Sequence, residues 1–230
     1  MKIGIIGAME TEIAQLKELM SSAKVTEVAG MCFFEGVLFE KSVIIVKSGM
    51  GKVNAAACAQ VLISNFQVTH IINTGVAGCL NPAIEIGDIV LSTDTLEHDY
   101  NLKIMGFKRG QIPSMPPAFK ADETLLAVAE KASKKLPEGI TVHKGRVVTG
   151  DEFICGKEAK DELVLLFQGW CCEMEGAAIA HVAYLNKIPF LVIRAISDKA
   201  DGTATDDYKS FETAAIKNYI TLVTGIISEL

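Results

Sequence analysis

The sequence has few arginines and no apolar run long enough to cross a membrane. Only Arg109, Arg146 and Arg194 are arginines among the 230 residues, and the formal net charge is −6. An acidic surface repels the phosphate backbone of nucleic acids, so we expect no nucleic-acid partner. Spanning a bilayer takes ~20 consecutive apolar residues. We therefore expect no membrane partner either.

The sequence also lacks the spacings that are typical of metal and dinucleotide sites. Its six cysteines include no CxxC pair, and its four histidines form no HExxH motif. The stretch GMGKVNAAA resembles a dinucleotide-binding loop, but Asn54 occupies the position of the third glycine. TGVAG lacks the GK[ST] of a P-loop. We expect reduced thiols in a cytoplasmic protein that binds no metal and no cofactor.

The order of strand-like and helix-like segments predicts an α/β fold. KIGIIGAM, THIINTGVAG and PFLVIRAISD read as buried strands, and Ala-rich or amphipathic helical segments alternate with them. MCFFEGVLFEKSVIIVKSG reads as two strands with a turn near Glu40, which makes the sheet mixed. No linker-like stretch divides the chain, so one domain over residues 1–230 is predicted.

In such folds a ligand binds beyond the carboxyl ends of the strands. The sequence therefore points to the loops that follow Ile6, Thr74, Val148 and Ile196. We also predict helices over residues 174–187 and 206–228.

Glu12 interrupts an apolar stripe close to the first of these loops. It shares a helical face with Leu16 and Leu19 at positions i, i+4 and i+7, so its carboxylate should be buried. An acid can also stand there only to complement the helix N-terminus. Because Glu10 could do that from a more exposed position, Glu12 is a candidate functional residue.

A second group of charged residues lies between Cys171 and Gly202. Glu175 begins the stripe that continues with Ile179, and Arg194 lies inside an apolar strand. A buried guanidinium needs a carboxylate or phosphate partner, which Glu173, Glu175 or a ligand could supply. Strand alternation puts Arg194 and Asp198 on one side, with Asp198 at the end of the strand.

Two acids that face inward and a third at a strand end suit the cleavage of a glycosidic bond. One acid can protonate the leaving group, and one carboxylate can activate water.

The motifs, taken in order, resemble those of the 5′-methylthioadenosine/S-adenosylhomocysteine nucleosidases. They are GIIGAMETE, SGMGKVNAA, INTGVAG, GDIV, GFKRGQIP, AFKAD, TGDEFI, EMEGAAIAHV and RAISD, and they cover nearly the whole chain. The resemblance implies a nucleoside phosphorylase/hydrolase fold, with a mixed, barrel-like central sheet surrounded by helices, usually as a homodimer. It implies hydrolysis of methylthioadenosine, S-adenosylhomocysteine and 5′-deoxyadenosine to adenine, in methionine salvage and by-product clearance.

The resemblance also implies roles for particular residues. Glu12 would be the general base on water, Asp198 would protonate adenine N7, and Ser197 and Arg194 would orient these acids. Glu175 would bind the ribose hydroxyls. The other expected contacts are Met174 on the sugar, Phe153 stacked on adenine, the Ile154 backbone at the base edge, Gly78 in the wall, Met9, Met50 and Phe211 around the 5′-thio group, and Pro113 from the partner subunit.

Two positions depart from the family pattern, and three other functions stay open. Val76 stands where the family often has Ser, and Cys79 where it often has Gly. A phosphorylase of the same fold would need cationic groups for phosphate, and its first loop carries an Arg where this chain has AMETE. A nucleoside-binding protein without activity is a second alternative. A nucleosidase for another adenine nucleoside, such as 6-amino-6-deoxyfutalosine, is the third.

Overall fold

The computed structural model describes residues 1–230, apart from the side chains of Asp206, Lys209 and Glu212. Over this range it contains ten strands and six α-helices. The strands are β1 (Lys2–Gly7), β2 (Ser21–Val28), β3 (Met31–Leu38), β4 (Lys41–Lys47), β5 (His70–Cys79), β6 (Ile89–Glu97), β7 (Phe119–Lys120), β8 (Val142–Thr149), β9 (Cys171–Glu173) and β10 (Phe190–Asp198). The helices are α1 (Glu10–Glu18), α2 (Lys52–Phe66), α3 (Glu123–Ser133), α4 (Lys157–Phe167), α5 (Gly176–Asn186) and α6 (Ala204–Glu229), with a short 3₁₀ turn at Lys103–Met105.

Five strands close into a ring. β5 pairs in parallel with β10 and antiparallel with β9, and β10 pairs antiparallel with β6. β6 and β9 both pair in parallel with β8, which completes the ring. β1, β4, β3 and β2 extend the sheet outward from β5, and β7 joins β6. The predicted mixed, barrel-like sheet is confirmed.

The most apolar strands lie where helices cover the sheet. All nine residues of β10 are buried, as are five of the six residues of β1. Continuous apolar runs are typical of strands that are covered on both faces. α6 packs on β10 and β5, while α2 packs against α5. The main apolar core joins side chains from Ile3 near one end of the chain to Ile227 near the other.

Several predicted boundaries differ from the structure. The helix predicted over 174–187 begins at Gly176 because Glu175 is its cap, with non-helical φ and ψ of −134° and −39°. The last helix begins two residues before the predicted start, at Ala204. β2 was not predicted, since SSAKVTEV is an exposed edge strand without an apolar alternation. Leu19 follows the end of α1 and is 53% exposed, so its predicted place in the buried stripe was wrong.

The predicted turn before β4 is confirmed. Phe39 and Glu40 both have positive φ there, at 48° and 64°. None of the helices in the described part of the chain is both long enough and apolar enough to cross a membrane.

Candidate active site

A cavity of about 260 Å³ lies beyond the carboxyl ends of β1, β5 and β10. The loops after β4 and β8 and the β9–α5 junction complete its wall, in agreement with the position predicted from the strand order. Its lining residues are Ala8, Met9, Glu12, Met50, Val76, Ala77, Gly78, Glu152, Phe153, Ile154, Cys172, Glu173, Met174, Glu175, Ser197, Asp198 and Tyr208.

Backbone amides from two segments hold the Glu12 carboxylate. Oε2 accepts hydrogen bonds from the N–H groups of Ala8 at 2.6 Å and Met9 at 3.0 Å. Oε1 accepts from the N–H of Val76 at 3.2 Å. Glu12 is only 3% exposed, and this burial raises its pKa, although the positive charge of Arg194 and the three amides act in the opposite direction. The result is a fixed carboxylate that can accept a proton more readily than a solvated one.

Glu173, which also lines the cavity, is the ion-pair partner of the buried Arg194. The Nη2 and Nε atoms of Arg194 both donate to Glu173 Oε2, the latter at 3.2 Å. The same oxygen accepts from the N–H groups of Glu175 at 3.0 Å and Gly176 at 2.7 Å. Glu173 therefore fixes the first turn of α5 and the guanidinium together. Sequence reasoning left the choice between Glu173 and Glu175 open.

Glu175 also lines the cavity. Its Oε1 accepts a hydrogen bond from the N–H of Gly51 at 2.8 Å. Burial and, next, the negative charge of Glu173 raise the pKa of Glu175 to about 7, while Arg194 and the Gly51 amide lower it. A carboxyl group in this state can exchange between its charged and neutral forms near neutral pH.

Asp198 ends β10 at an irregularity of the strand. The pairing with β5 shifts register between Ile196 and Asp198, so Ser197 is an extra residue in the β10 ladder. As a consequence Ser197 and Asp198 both line the cavity, which the predicted strict alternation would not allow. Ser197 Oγ donates to Asp198 Oδ2 at 2.8 Å, and the N–H of Ala200 donates to Oδ1 at 2.9 Å.

The surroundings of Asp198 favour its protonated form. Burial raises the pKa of Asp198, and the nearby charges of Asp207 and Asp201 act in the same direction. The hydrogen bonds from Ala200 and Ser197 oppose the shift. A protonated carboxyl group at the end of the cavity can act as a general acid.

The charge of the cavity wall is negative. Among the lining residues that the structure describes, five are acids and none is Lys or Arg. His, Cys, Asp and Glu side chains form no group of three or more suited to a metal ion within the described residues. The wall therefore favours a ligand that develops positive charge and disfavours an anion.

Comparisons with known proteins agree with this geometry. A family model described as the phosphorylase superfamily matches residues 2–228. A 5′-methylthioadenosine/S-adenosylhomocysteine nucleosidase of Actinobacillus succinogenes is 41% identical over the full length of both chains. The crystal structure of such a nucleosidase from Colwellia psychrerythraea, in complex with adenine, superposes with a TM-score of 0.97 at 40% identity, covering 100% of this chain and 96% of that one.

The chain belongs to the 5′-methylthioadenosine/S-adenosylhomocysteine nucleosidase family of the phosphorylase superfamily. The resemblance found in the sequence motifs is thereby confirmed. A second solved structure carries a different name. Native futalosine hydrolase of Helicobacter pylori superposes with a TM-score of 0.95 at 31% identity, covering 100% of this chain and 98% of that one.

Most residues expected from the nucleosidase resemblance come together in the structure. Ten of them line the cavity, namely Met9, Glu12, Met50, Gly78, Phe153, Ile154, Met174, Glu175, Ser197 and Asp198. Arg194 lies behind the wall and is 1% exposed. Pro113 lies on the loop between β6 and β7, outside the lining of this cavity. Phe211 is 43% exposed on α6 and is also outside the lining.

Tyr208 lines the nucleosidase cavity and was missed by sequence reasoning. Its hydroxyl lies 3.4 Å from the sulfur of Met9, and its ring meets that of Phe153 edge to face, with centroids 6.1 Å apart. Tyr208 and Phe211 are three residues apart and can share a helical face, so the sequence pattern alone does not separate them. Glu152 and Cys172 also line the cavity without having been expected there.

Proposed function

We propose that this chain hydrolyses the N-glycosidic bond of 5′-methylthioadenosine and S-adenosylhomocysteine, and also of 5′-deoxyadenosine. The products are adenine and the free thioribose, or 5-deoxyribose from 5′-deoxyadenosine. The reaction would serve methionine salvage and the removal of by-products of methyl transfer. The observation that carries the proposal is the convergence of Glu12, Glu175 and Asp198 on one cavity lined by acids.

In this proposal Asp198 gives a proton to the leaving adenine, and Glu12 takes one from the attacking water. Adenine is a poor leaving group until its N7 is protonated, and Asp198, whose pKa is raised by burial, would supply that proton. The C1′–N9 bond then breaks with its electron pair remaining on adenine. Glu12 would take a proton from a water molecule as its oxygen bonds to C1′. Each role contributes roughly 10²–10⁴-fold to the rate.

The other expected roles follow from the same reaction. Glu175 would accept hydrogen bonds from the ribose hydroxyls, and its charge would stabilise the oxocarbenium-like transition state. Arg194 would order the carboxylates from behind the wall through Glu173. The remaining binding roles are those of Met174 on the sugar, Phe153 and Ile154 at the base, Gly78 in the wall, and Met9 and Met50 around the 5′-thio group. In place of Phe211 we propose Tyr208, a lining residue of the cavity, as the aromatic contact of that group.

A phosphorylase reaction is disfavoured by the charges around the cavity. Arg146 pairs with Asp94 and Arg109 with Glu162, while Arg194 pairs with Glu173. No arginine or lysine is among the described lining residues, so a phosphate ion would face carboxylates there. The acids instead suit water as the nucleophile.

The likeness to futalosine hydrolase supports one alternative substrate class. That protein shares the fold at 31% identity. A second adenine nucleoside such as 6-amino-6-deoxyfutalosine would use the same acids, so its cleavage would be decided by the 5′ end of the cavity.

We also propose that the chain forms one nucleosidase domain over residues 1–230, acts in the cytoplasm, and assembles as a homodimer. In that dimer the loop around Pro113 would contribute to the partner's cavity. Ile104 and Met105 on the same loop are 98% and 67% exposed, and their burial would favour such a contact.

The first experiment is to incubate the pure protein with methylthioadenosine in buffers with and without phosphate. Adenine and the sugar product are then quantified by chromatography. Free methylthioribose in the absence of phosphate is the expected product. A sugar 1-phosphate that forms only with phosphate would make the chain a phosphorylase. If no adenine formed, the chain would act on another nucleoside or would only bind one.

A further inference from the structure

Three residues outside the cavity form a closed ring of polar contacts. Asp99, just after β6, accepts through Oδ1 from the Lys52 ammonium at 2.6 Å and through Oδ2 from the N–H of Asp151 at 3.0 Å. Asp151 Oδ1 in turn accepts from the backbone N–H of Lys52 at 2.8 Å. The ring therefore joins the N-terminus of α2 to the loop that follows β8.

Each of the two joined segments carries part of the cavity wall. Met50 precedes Lys52 by two residues, and Phe153 follows Asp151 by two. Between Met50 and Lys52, the N–H of Gly51 donates to Glu175 Oε1 at 2.8 Å. A shift of the α2 N-terminus would therefore move a wall residue and the hydrogen bond to the Glu175 carboxylate at the same time.

Gly51 allows the two segments to approach closely. Its φ of 91° lies in the left-handed region, and a Cβ there would be 3.0 Å from Asp151 Oδ1. The backbone N–H groups of Gly51 and Lys52 at the N-terminus of α2 thus donate hydrogen bonds to two carboxylates from distant parts of the chain, those of Glu175 and Asp151. This arrangement satisfies helix N–H groups that lack partners within the helix.

The ring is charged and partly withdrawn from water. The side chains of Lys52 and Asp99 are 18% and 29% exposed, and Glu97 makes a second contact to Lys52 at 3.1 Å. Burial acts to raise the pKa of Asp99, but the hydrogen bonds from Lys52 and from the Asp151 amide lower it below its usual value. Charge-assisted hydrogen bonds of this kind are roughly twice as strong as neutral ones.

We propose that Asp99 is a positioning residue that, with Lys52, holds the Met50–Lys52 turn against the Asp151–Phe153 loop and thereby sets the Glu175 carboxylate and the Phe153 ring. The proposal rests on the proposed function, in which Glu175 binds the sugar and Phe153 the base. Asp99 itself is not among the described residues that line the cavity, and it acts through the two segments that it joins.

The first test measures amide hydrogen exchange in the protein without ligand. Asp99→Asn keeps the size of the side chain but removes its charge and one acceptor. Exchange should become at least about tenfold faster at Asp151, which Asp99 contacts, and also at Gly51 and Lys52, whose backbone amides it does not contact. Glu35→Gln, which removes the separate Lys2–Glu35 pair, is the matched control and should leave these three amides unchanged.

The second test is kinetic and uses methylthioadenosine. For Asp99→Asn we expect KM to rise about tenfold, since the groups affected bind the sugar and base, and kcat to fall by a smaller factor, because the Glu175 carboxylate also stabilises the transition state. Lys52→Met should have the same effect. The double variant should resemble either single variant, because the loss of either side chain already opens the ring.

The outcomes separate the two proposals. Unchanged exchange at Gly51 and Lys52 in folded Asp99→Asn would overturn the positioning role, whatever the substrate. Additive effects of the two substitutions on KM, or a loss confined to kcat, would overturn it as well. If the wild-type protein releases no adenine, the proposed function fails, yet the exchange experiment still decides whether the ring holds the two segments. Lys52→Met replaces Asp99→Asn in both tests if the latter does not fold.

Discussion

Gly75 on β5 leaves room for the Glu12 carboxylate and for nothing larger than hydrogen. A Cβ at position 75 would lie 2.6 Å from Glu12 Oε1 and 3.4 Å from Arg194 Nη1. Real Cβ atoms essentially never approach other heavy atoms as closely as the first of these distances. Because Gly75 has no side chain, the Glu12 carboxylate can occupy the position set by the amides of Ala8, Met9 and Val76.

The first prediction is that Gly75→Ala displaces Glu12 and lowers kcat for methylthioadenosine by about 10²-fold, the cost typical of a 1 Å misplacement of a reacting group. Gly156→Ala is the control, because a Cβ there meets no atom within 4 Å. Steady-state kinetics and thermal unfolding should be measured on both variants. A Gly75→Ala protein with normal kcat would show that the position of Glu12 is not critical.

The second prediction concerns the general acid. Asp198→Asn should lower kcat by about 10²–10⁴-fold, since the amide cannot supply a proton to N7. In the wild-type protein, activity should fall as the pH rises through the raised pKa of Asp198, because the reaction needs the protonated form. Lowering the pH should not restore the activity of the Asp198→Asn variant.

The control for this substitution is Asp161→Asn on α4, where the carboxylate is exposed and pairs with Lys157 at i−4. It should retain wild-type kcat. Adenine binding to the Asp198→Asn variant, measured by calorimetry, shows whether the cavity is intact. If the variant kept near-wild-type turnover, the proton donor would have to be a different group.

Local signals in the sequence located the acids of the candidate site, whereas most of its other residues were expected from the family resemblance alone. An acid within an apolar stripe, as at Glu12, and one at a strand end, as at Asp198, are visible without coordinates. The alternation of strands and helices likewise predicted an α/β fold and the edge at which the cavity lies, and the hairpin near Glu40 predicted that the sheet is mixed.

The features that were missed depend on contacts between distant segments. The pairing of β5 with β10, which closes the ring, has no signature in either strand. The extra residue at Ser197 appears only when the two strands are in register. Which of two neighbouring glutamates faces Arg194 is decided by the turn between β9 and α5, where Glu173 is the last strand residue and Glu175 the helix cap.

The third prediction follows from the pKa of Glu175, raised from 4.5 to about 7 in the folded protein. Between these values the folded state binds more protons than the unfolded state, so this group lowers stability as the pH rises. Glu175→Gln removes the effect. The variant should therefore gain stability relative to wild type as the pH rises: its free energy of unfolding minus that of wild type should increase by about 2–3 kcal/mol between pH 5 and pH 8.

Urea denaturation of the ligand-free proteins at these two pH values measures the difference. Glu35→Gln is the control: the hydrogen bond from Lys2 lowers the pKa of Glu35, so its contribution is lost only as the pH falls below the unfolded value of 4.5. It should shift stability by the same amount at pH 5 and pH 8. If the free energies of unfolding of wild type and Glu175→Gln changed equally between pH 5 and pH 8, the pKa of Glu175 would not be raised in the folded protein.

The last prediction separates two aromatic residues of α6. Tyr208 lines the cavity beside Met9 and Phe153, whereas Phe211, one turn further along, is 43% exposed and lies outside the lining. Tyr208→Ala should therefore raise KM for methylthioadenosine by roughly 10- to 100-fold, the equivalent of about 1.5–3 kcal/mol for a lost aromatic contact. Phe211→Ala should change KM less than threefold. Steady-state kinetics on the two variants gives the comparison directly, and a larger effect at Phe211 would mean that α6 turns its other residues toward the bound nucleoside.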